Sequence, residues 1–318
     1  MPAPSHASSL RPPITFFIVA ALLAGGAIAT SLVPVDRAAS FSAVLEMWGD
    51  VMRDADAVPL QMVRVQDETE MEFGKTLAAG VLPENAPLST ETSYVIQVGN
   101  AVARGVKRGR IVYHFRVIDS PQVNAFALPG GYIFVYRGLL QTLRDESQLA
   151  AILGHEIAHV DQRHCVERFQ YELKLKEMRL PNVAGALADA LRRVGAISYA
   201  PYQELEADAE GQLLAAQAGY DPAGGSNAMA TIMERVEPQS TARAPRSAIG
   251  EAAGAAAQGL SDFFRSHPRT DERMRRLRQV EQAYIASHKG RSYCRGVKNL
   301  AERTTCGFSP FDGEMVIY

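Results

Sequence analysis

The segment that most constrains this chain is His155-Glu156-Ile157-Ala158-His159, set inside the apolar run Leu149-Ala-Ala-Ile-Leu-Gly154 and Val160. Two histidines one helical turn apart share a face, so both imidazoles can reach one metal ion while Glu156 sits beside the water that the ion would polarise. This is the arrangement of a metal hydrolase. The five-residue pattern alone arises by chance in on the order of one percent of chains this long, so the rest of the sequence decides its weight.

A catalytic zinc held by two histidines needs one more protein ligand and an open position for water. The candidates lie in Pro201-Tyr-Gln-Glu204-Leu-Glu206-Ala-Asp208-Ala-Glu210-Gly211, read as a helix that begins at the proline and ends near Gly219. On a helical wheel Glu204, Asp208 and Gly211 share a narrow arc bordered by Leu205, Ala209, Ala207 and Leu214, while Gln203, Glu206 and Glu210 fall on the opposite side. An acid pair amid apolar residues is costly to bury unless it binds a cation or accepts hydrogen bonds. Glu204 is therefore assigned as the third ligand and Asp208 as the group that orients a ligand histidine; Glu206 and Glu210 are read as solvated charges.

The 318 residues carry a formal charge of -2 with 47% hydrophobic and 21% charged residues, which excludes a disordered chain and gives no basis for nucleic-acid binding. Positions 14–33 carry no charge, follow Arg11-Pro12-Pro13 and stop at Pro34-Val35-Asp36-Arg37. Residues 1–37 are thus a signal peptide, with Ala27-Ile28-Ala29 open to a signal peptidase, or a retained membrane anchor. Either reading exports the rest. Cys294 and Cys306 would staple a polar tail at 291–318 in an oxidising compartment, with two free thiols as the alternative. Cys165 reads as a small packed hydrophobe.

Residues 38–290 read as one helix-rich domain of the α+β, mainly helical class with a minor sheet, and 38–88 supply amino-terminal helices that pack on it, with Phe41, Val44, Leu45 and Trp48 at helical spacing. A helix from Thr90 to Val106 ends at a basic cluster, Arg104, Lys107, Arg108 and Arg110, read as a solvated helix end first and a membrane-surface patch second. Ile111–Ile118, Asn124–Leu128 and Tyr132–Val135 alternate like strands, the last two flanking Pro129-Gly130-Gly131. His114 reads as a packed or surface histidine. Asp145 caps the central helix with Gln148 as its partner, and the helical pattern runs to about Lys174. Residues 237–252, rich in Ser, Thr, Ala and Pro, read as a mobile loop.

Together these motifs resemble the HtpX-like and CAAX-prenyl-protease-like zinc metallopeptidases, family forty-eight of the metallopeptidases, across most of residues 90–285. The carriers are Asn124-Ala-Phe-Ala-Leu-Pro-Gly-Gly-Tyr-Ile-Phe-Val135, Gly154-His-Glu-Ile-Ala-His-Val160 with Arg163-His164, Glu204-Leu-Glu-Ala-Asp208, Gly219-Tyr-Asp-Pro222, and His267-Pro268 with Arg273. One amino-terminal apolar segment is similar to the exported, periplasmic branch, which implies the periplasm or the periplasmic face of the inner membrane. The resemblance implies a gluzincin-type domain whose small β-sheet sets an edge strand beside the active-site helix. It implies one Zn2+ per chain held by His155, His159 and Glu204, with Glu156 as general base. It places His267 and Arg273 opposite the metal, His267 either donating to the oxyanion or plugging the open position. It also lays an extended peptide along Asn124, Ala125 and Phe126, with Gly130 and Gly131 letting substrate backbone approach. Relatives carry Ser-Arg before the ligand glutamate where this chain has Ala200-Pro201, so a salt link expected there is absent.

The expected function is a zinc-dependent endopeptidase acting on unfolded or misassembled envelope proteins, a protein quality-control role. The alternative is a non-catalytic holdase or assembly factor that uses the same strand and cavity. Oligomeric state is left open by the sequence.

Overall fold

The computed structural model describes residues 65–169, 199–236, 267, 271–307 and 311–318. The apolar segment 14–33, the helices expected before residue 65 and the loop at 237–252 lie outside them. The described chain belongs to a compact unit running from Val65 to Tyr318, and among the described residues no helix is long and apolar enough to cross a membrane.

Helix α1 (Asp67–Val81) opens on Asp67, Glu68 and Glu70, acidic residues that complement the amino-terminal end of the helix dipole, and buries Phe73, Leu77 and Ala78. Helix α2 (Thr90–Val102) is capped by Ser89, whose hydroxyl accepts from the Thr92 N–H at 3.0 Å, and buries Tyr94, Val95, Val98 and Val102. It ends four residues earlier than expected, in a single 3-10 turn at Ala103–Gly105. The sheet has the order β1 (His114–Ile118), β3 (Tyr132–Tyr136), β2 (Ala125–Leu128), with β1 parallel and β2 antiparallel to the central β3. The Pro129–Gly131 turn joins β2 to β3 with Gly130 at φ 75° and Gly131 at φ 91°, the left-handed region that glycine occupies without strain.

Helices α3 (Arg137–Thr142) and α4 (Glu146–Asp161) follow, and every residue of α4 is buried. Asp145 caps α4, accepting from the Gln148 N–H at 2.9 Å. The helix stops at Asp161, short of the expected Lys174. Its carboxylate accepts the backbone N–H groups of Lys107 and Arg108 (3.1 and 2.8 Å), and Arg163 takes a left-handed φ of 67°, held by Val65 O and Asp67. That turn starts the short helix α5 (His164–Arg168). Arg108 is also not a solvated helix end: it is largely buried and pairs with Asp67 (2.6 Å), the fully buried Glu70 (2.5 Å) and Val160 O (2.8 Å).

Helix α6 (Pro201–Gln217) crosses α4, α7 (Gly224–Val236) packs on α4, and α8 (Asp271–Ser287) packs on α6. The last residues form strand β4 (Ser292–Cys294), helix α9 (Val297–Glu302) and strand β5 (Met315–Ile317), with β4 and β5 antiparallel and Cys294 disulfide-bonded to Cys306. The core gathers Leu149, Leu153 and Ile157 of α4, Tyr94 and Val98 of α2, and Ile133 and Val135 of β3.

Candidate metal centre

The crossing of α4 over α6 sets the site. Gly154 and Gly211 meet there: a Cβ on Gly154 would run into Gly211 O, and one on Gly211 into the His155 N–H. Only residues without a side chain let the two backbones come this close, and the contact places His155 and His159 opposite Glu204. His155 Nε2 lies 3.0 Å from His159 Nε2 and 3.6 Å from Glu204 Oε2, and His159 Nε2 lies 3.5 Å from Glu204 Oε1. His267 is drawn into the same group, its Nδ1 3.2 Å from His155 Nε2 and 3.1 Å from Glu204 Oε1. The ligand atoms of all four residues fall within 4.8 Å of one another.

A second layer of groups holds these side chains. Asp208 Oδ1 sits 3.0 Å from His155 Nδ1. Arg273, buried at 3% exposure, pairs with Asp208 through Nε and Nη2 and with Glu204 Oε2 through Nη1, each at 2.7 Å. His164 Nδ1 lies 3.0 Å from His159 Nδ1, and its Nε2 lies 3.2 Å from Glu206 Oε2. Glu206, expected to be a free solvated charge, therefore reaches back to a buried histidine. The wheel could not show this, because its partner arrives from the turn after α4. Tyr199, also missed, stacks on His159 with ring centroids 3.7 Å apart and planes 13° from parallel. Its hydroxyl contacts Cys165, whose thiol burial pushes up to about 12, so that cysteine is an inert packed group.

The electrostatics favour a cation. Burial alone would raise the Glu204 carboxyl, but His267, His159 and Arg273 hold it well below the usual range. Asp208 is likewise depressed against the effect of burial by Arg273 and His155. Burial pushes His159 well below its usual value, while His155, subject to the same burial, is raised by Asp208 and Glu204. Both oxygens of Glu156 are buried without a hydrogen-bond partner among the described residues, and His267 Nε2 stands 3.4 Å from one of them. A buried carboxyl without a hydrogen bond among the described residues, beside two imidazole nitrogens and an ionised carboxylate, fits a zinc ion and its water. This is the His-His-Glu group of a gluzincin-type zinc site.

Of the residues expected to bind substrate, Asn124, Ala125 and Phe126 are buried at the start of β2, the end strand of its sheet. Gly130 and Gly131 have another reason to be glycine. A Cβ on Gly130 would stand 2.7 Å from Met71 Cα of α1, and one on Gly131 would stand 2.5 Å from Val112 O, so packing within the chain already requires glycine at both positions.

Residues 89–281 match peptidase family M48. Among curated relatives, a beta-barrel assembly-enhancing protease of Yersinia pestis is 29% identical over 167 residues, covering 47% of this chain and 33% of its own. The mitochondrial metalloendopeptidase OMA1 of Schizosaccharomyces pombe is 28% identical over 240 residues, covering 70% of this chain and 65% of its own. OMA1 of Arabidopsis thaliana is 30% identical over 174 residues, 54% of this chain and 32% of its own. The chain thus spans less than two thirds of the length of these relatives.

Proposed function

The chain belongs to peptidase family M48, and from that premise we propose that it is a zinc-dependent endopeptidase hydrolysing unfolded or misassembled envelope proteins, in protein quality control. The observation that carries the reading is Glu156, buried without a hydrogen-bond partner among the described residues, beside His155, His159 and Glu204. Those three residues would hold the zinc, which would supply Lewis acidity toward the scissile carbonyl and the attacking water. Glu156 takes the proton of that water on a carboxylate oxygen and delivers it to the leaving amine. Asp208 and His164 keep the two ligand imidazoles in their working tautomers.

The strand proposed to take an extended substrate is β2, the end strand of its sheet. Tyr136 N–H donates to Asn124 O at 2.9 Å, so residues 124, 126 and 128 form the hydrogen-bonded pairs with β3, and the main-chain groups of Ala125 and Ala127 turn away from it. The Ala125 N–H is taken by Asn124 Oδ1 at 2.9 Å, and Ala125 and Ala127 are 0% and 1% exposed, so an extended peptide would pair along this strand only after displacing what covers it. Export is supported by the uncharged segment at 14–33 and by the Cys294–Cys306 disulfide, a bond of oxidising compartments.

The place of His267 favours a latent state. A catalytic zinc keeps one position open, and here an imidazole lies among the donors, with its Nδ1 3.1 Å from Glu204 Oε1.

The test is Glu156→Gln in the zinc-loaded full chain with an unfolded protein as substrate. Cleavage is expected to fall at least about 100-fold while zinc content stays at one per chain. Undiminished proteolysis would falsify the reading, and a holdase would instead keep protecting clients in this variant and after zinc removal.

A further inference from the structure

Tyr199, the residue before the N-cap of α6, makes the closest ring contact at the metal centre. Its centroid stands 3.7 Å from that of His159, with the planes 13° apart. Aromatic pairs ordinarily stand about 4.5 to 7 Å apart, offset or edge-on, because two ring faces of like negative potential repel. Other stacked pairs of this chain are more widely spaced, Tyr284 and His288 at 4.1 Å and Phe126 and Phe134 at 5.2 Å. The pair at 3.7 Å is a flat, close overlap that two neutral rings do not favour. Both residues are buried, His159 at 0% and Tyr199 at 5% exposure, so water weakens little of what passes between them.

The two ligand histidines differ in what answers their charge. His155 Nδ1 has the Asp208 carboxylate at 3.0 Å, whereas His159 Nδ1 meets His164, another imidazole, at 3.0 Å. An imidazole that holds zinc through Nε2 shares the positive charge of the ion, and at His159 a carboxylate does not sit on the far nitrogen to meet it. The negative face of a phenol ring supplies that complement. The Tyr199 ring already attracts one cation, since Arg168 Cζ stands 5.0 Å over it, and its hydroxyl is held 3.3 Å from Cys165 Sγ. The second torsion of a histidine side chain is soft, so a fixed plate against the ring also limits its swing.

We propose that Tyr199 is a positioning residue of the metal centre, its ring face serving as the electrostatic counterpart of zinc-bound His159 and raising the affinity for the ion. The inference rests on His159 being a zinc ligand, as in the endopeptidase reading. A contact that is unfavourable between neutral rings and favourable once one ring is electron-poor stabilises the zinc-loaded state over the empty one, and that difference is zinc affinity.

The experiment changes the charge of the ring face while keeping its shape. Zinc affinity of the full chain is measured by competition with a chromophoric chelator for the parent, Tyr199→Phe and Tyr199→pentafluorophenylalanine, with urea unfolding of each metal-free protein alongside. Tyr199→Phe keeps the negative face and is expected to bind zinc within about threefold of the parent. Fluorination reverses the sign of the face at nearly the same size, and affinity is expected to fall about 3- to 30-fold below that of Tyr199→Phe, the range of a contact between a cation and a ring. The metal-free fluorinated protein is expected to be at least as stable as metal-free Tyr199→Phe, because its imidazole is then neutral. Equal zinc affinity in the two variants overturns the proposal and leaves Tyr199 a packing residue, as does a loss of affinity matched by a loss of metal-free stability. A parent that holds no zinc overturns the metal centre itself and the endopeptidase reading with it, so the two failures are told apart.

Discussion

His159 faces the other donors through Nε2, so as a metal ligand it must carry its proton on Nδ1. That N–H donates to His164 Nδ1 at 3.0 Å, which in turn fixes His164 as the Nε2–H tautomer, donating to Glu206 Oε2 at 3.2 Å. A relay of two residues thus does for His159 what Asp208 does directly for His155. His164→Phe keeps the ring and removes both nitrogens. It is expected to weaken zinc binding about 10- to 100-fold in competition with a zinc-chelating dye, the usual cost of losing a group that orients a ligand. Glu210→Gln serves as control, since that carboxylate pairs at 3.1 Å with the exposed Lys107, away from the donors; equal affinity in the two variants would refute the relay. Glu204 and Asp208 are legible in the sequence because two acids on one apolar arc are too costly to bury without a cation or donors to meet them. His164 and Glu206 are not, because their meeting depends on Arg163 at φ 67°, a conformation that an arginine does not announce.

At the scale of elements the site is one helix crossing. Helix α4 could be placed from its cap at Asp145 and its histidine spacing, and α6 from Pro201 and its acidic arc. Their close approach at Gly154 and Gly211 is a tertiary fact, since a glycine within a helical pattern has several uses. The missed end of α4 has the same origin: Asp161 is held by backbone N–H groups of residues 107 and 108, far away in sequence. Gly154→Ala puts a methyl against Gly211 O and forces the helices apart. The expected cost is about 1 to 3 kcal/mol in urea unfolding. A drop in zinc affinity should accompany it, because the displacement falls one residue from His155. Gly109→Ala, whose Cβ would meet nothing within 4 Å, is expected to stay within about 0.5 kcal/mol of the parent. If Gly154→Ala melts and binds zinc like the parent, the crossing is looser than its geometry indicates.

At the scale of the whole molecule, the carboxy-terminal residues are a structural part of the compact unit that holds the metal centre. A polar stretch with two cysteines shows little more than a staple in its sequence, because its contacts are made by main chain. The first turn of any helix leaves backbone N–H groups without partners inside the helix. In α4 two of these are answered by the tail, Glu146 N–H by Gly296 O and Ser147 N–H by Arg295 O, both at 3.0 Å. The Glu146 carboxylate, fully buried, accepts from Cys306 N–H and from the Tyr94 hydroxyl, each at 2.9 Å. The disulfide closes this clasp across a separation of 12 residues, and a loop of that length restricts the unfolded chain by about 3 kcal/mol in the chain-entropy account. Replacing both cysteines by serine is therefore expected to lower the unfolding free energy by about 3 kcal/mol in urea titration. Amide exchange should quicken at Glu146 and Ser147, where the clasp opens, before it quickens at Ile157, deep in the core. Zinc should still bind at one per chain, since its ligands lie on α4 and α6 beyond the clasped turn. Unchanged stability together with full protection of the Glu146 and Ser147 amides would show that main-chain contacts alone hold the tail to the helix.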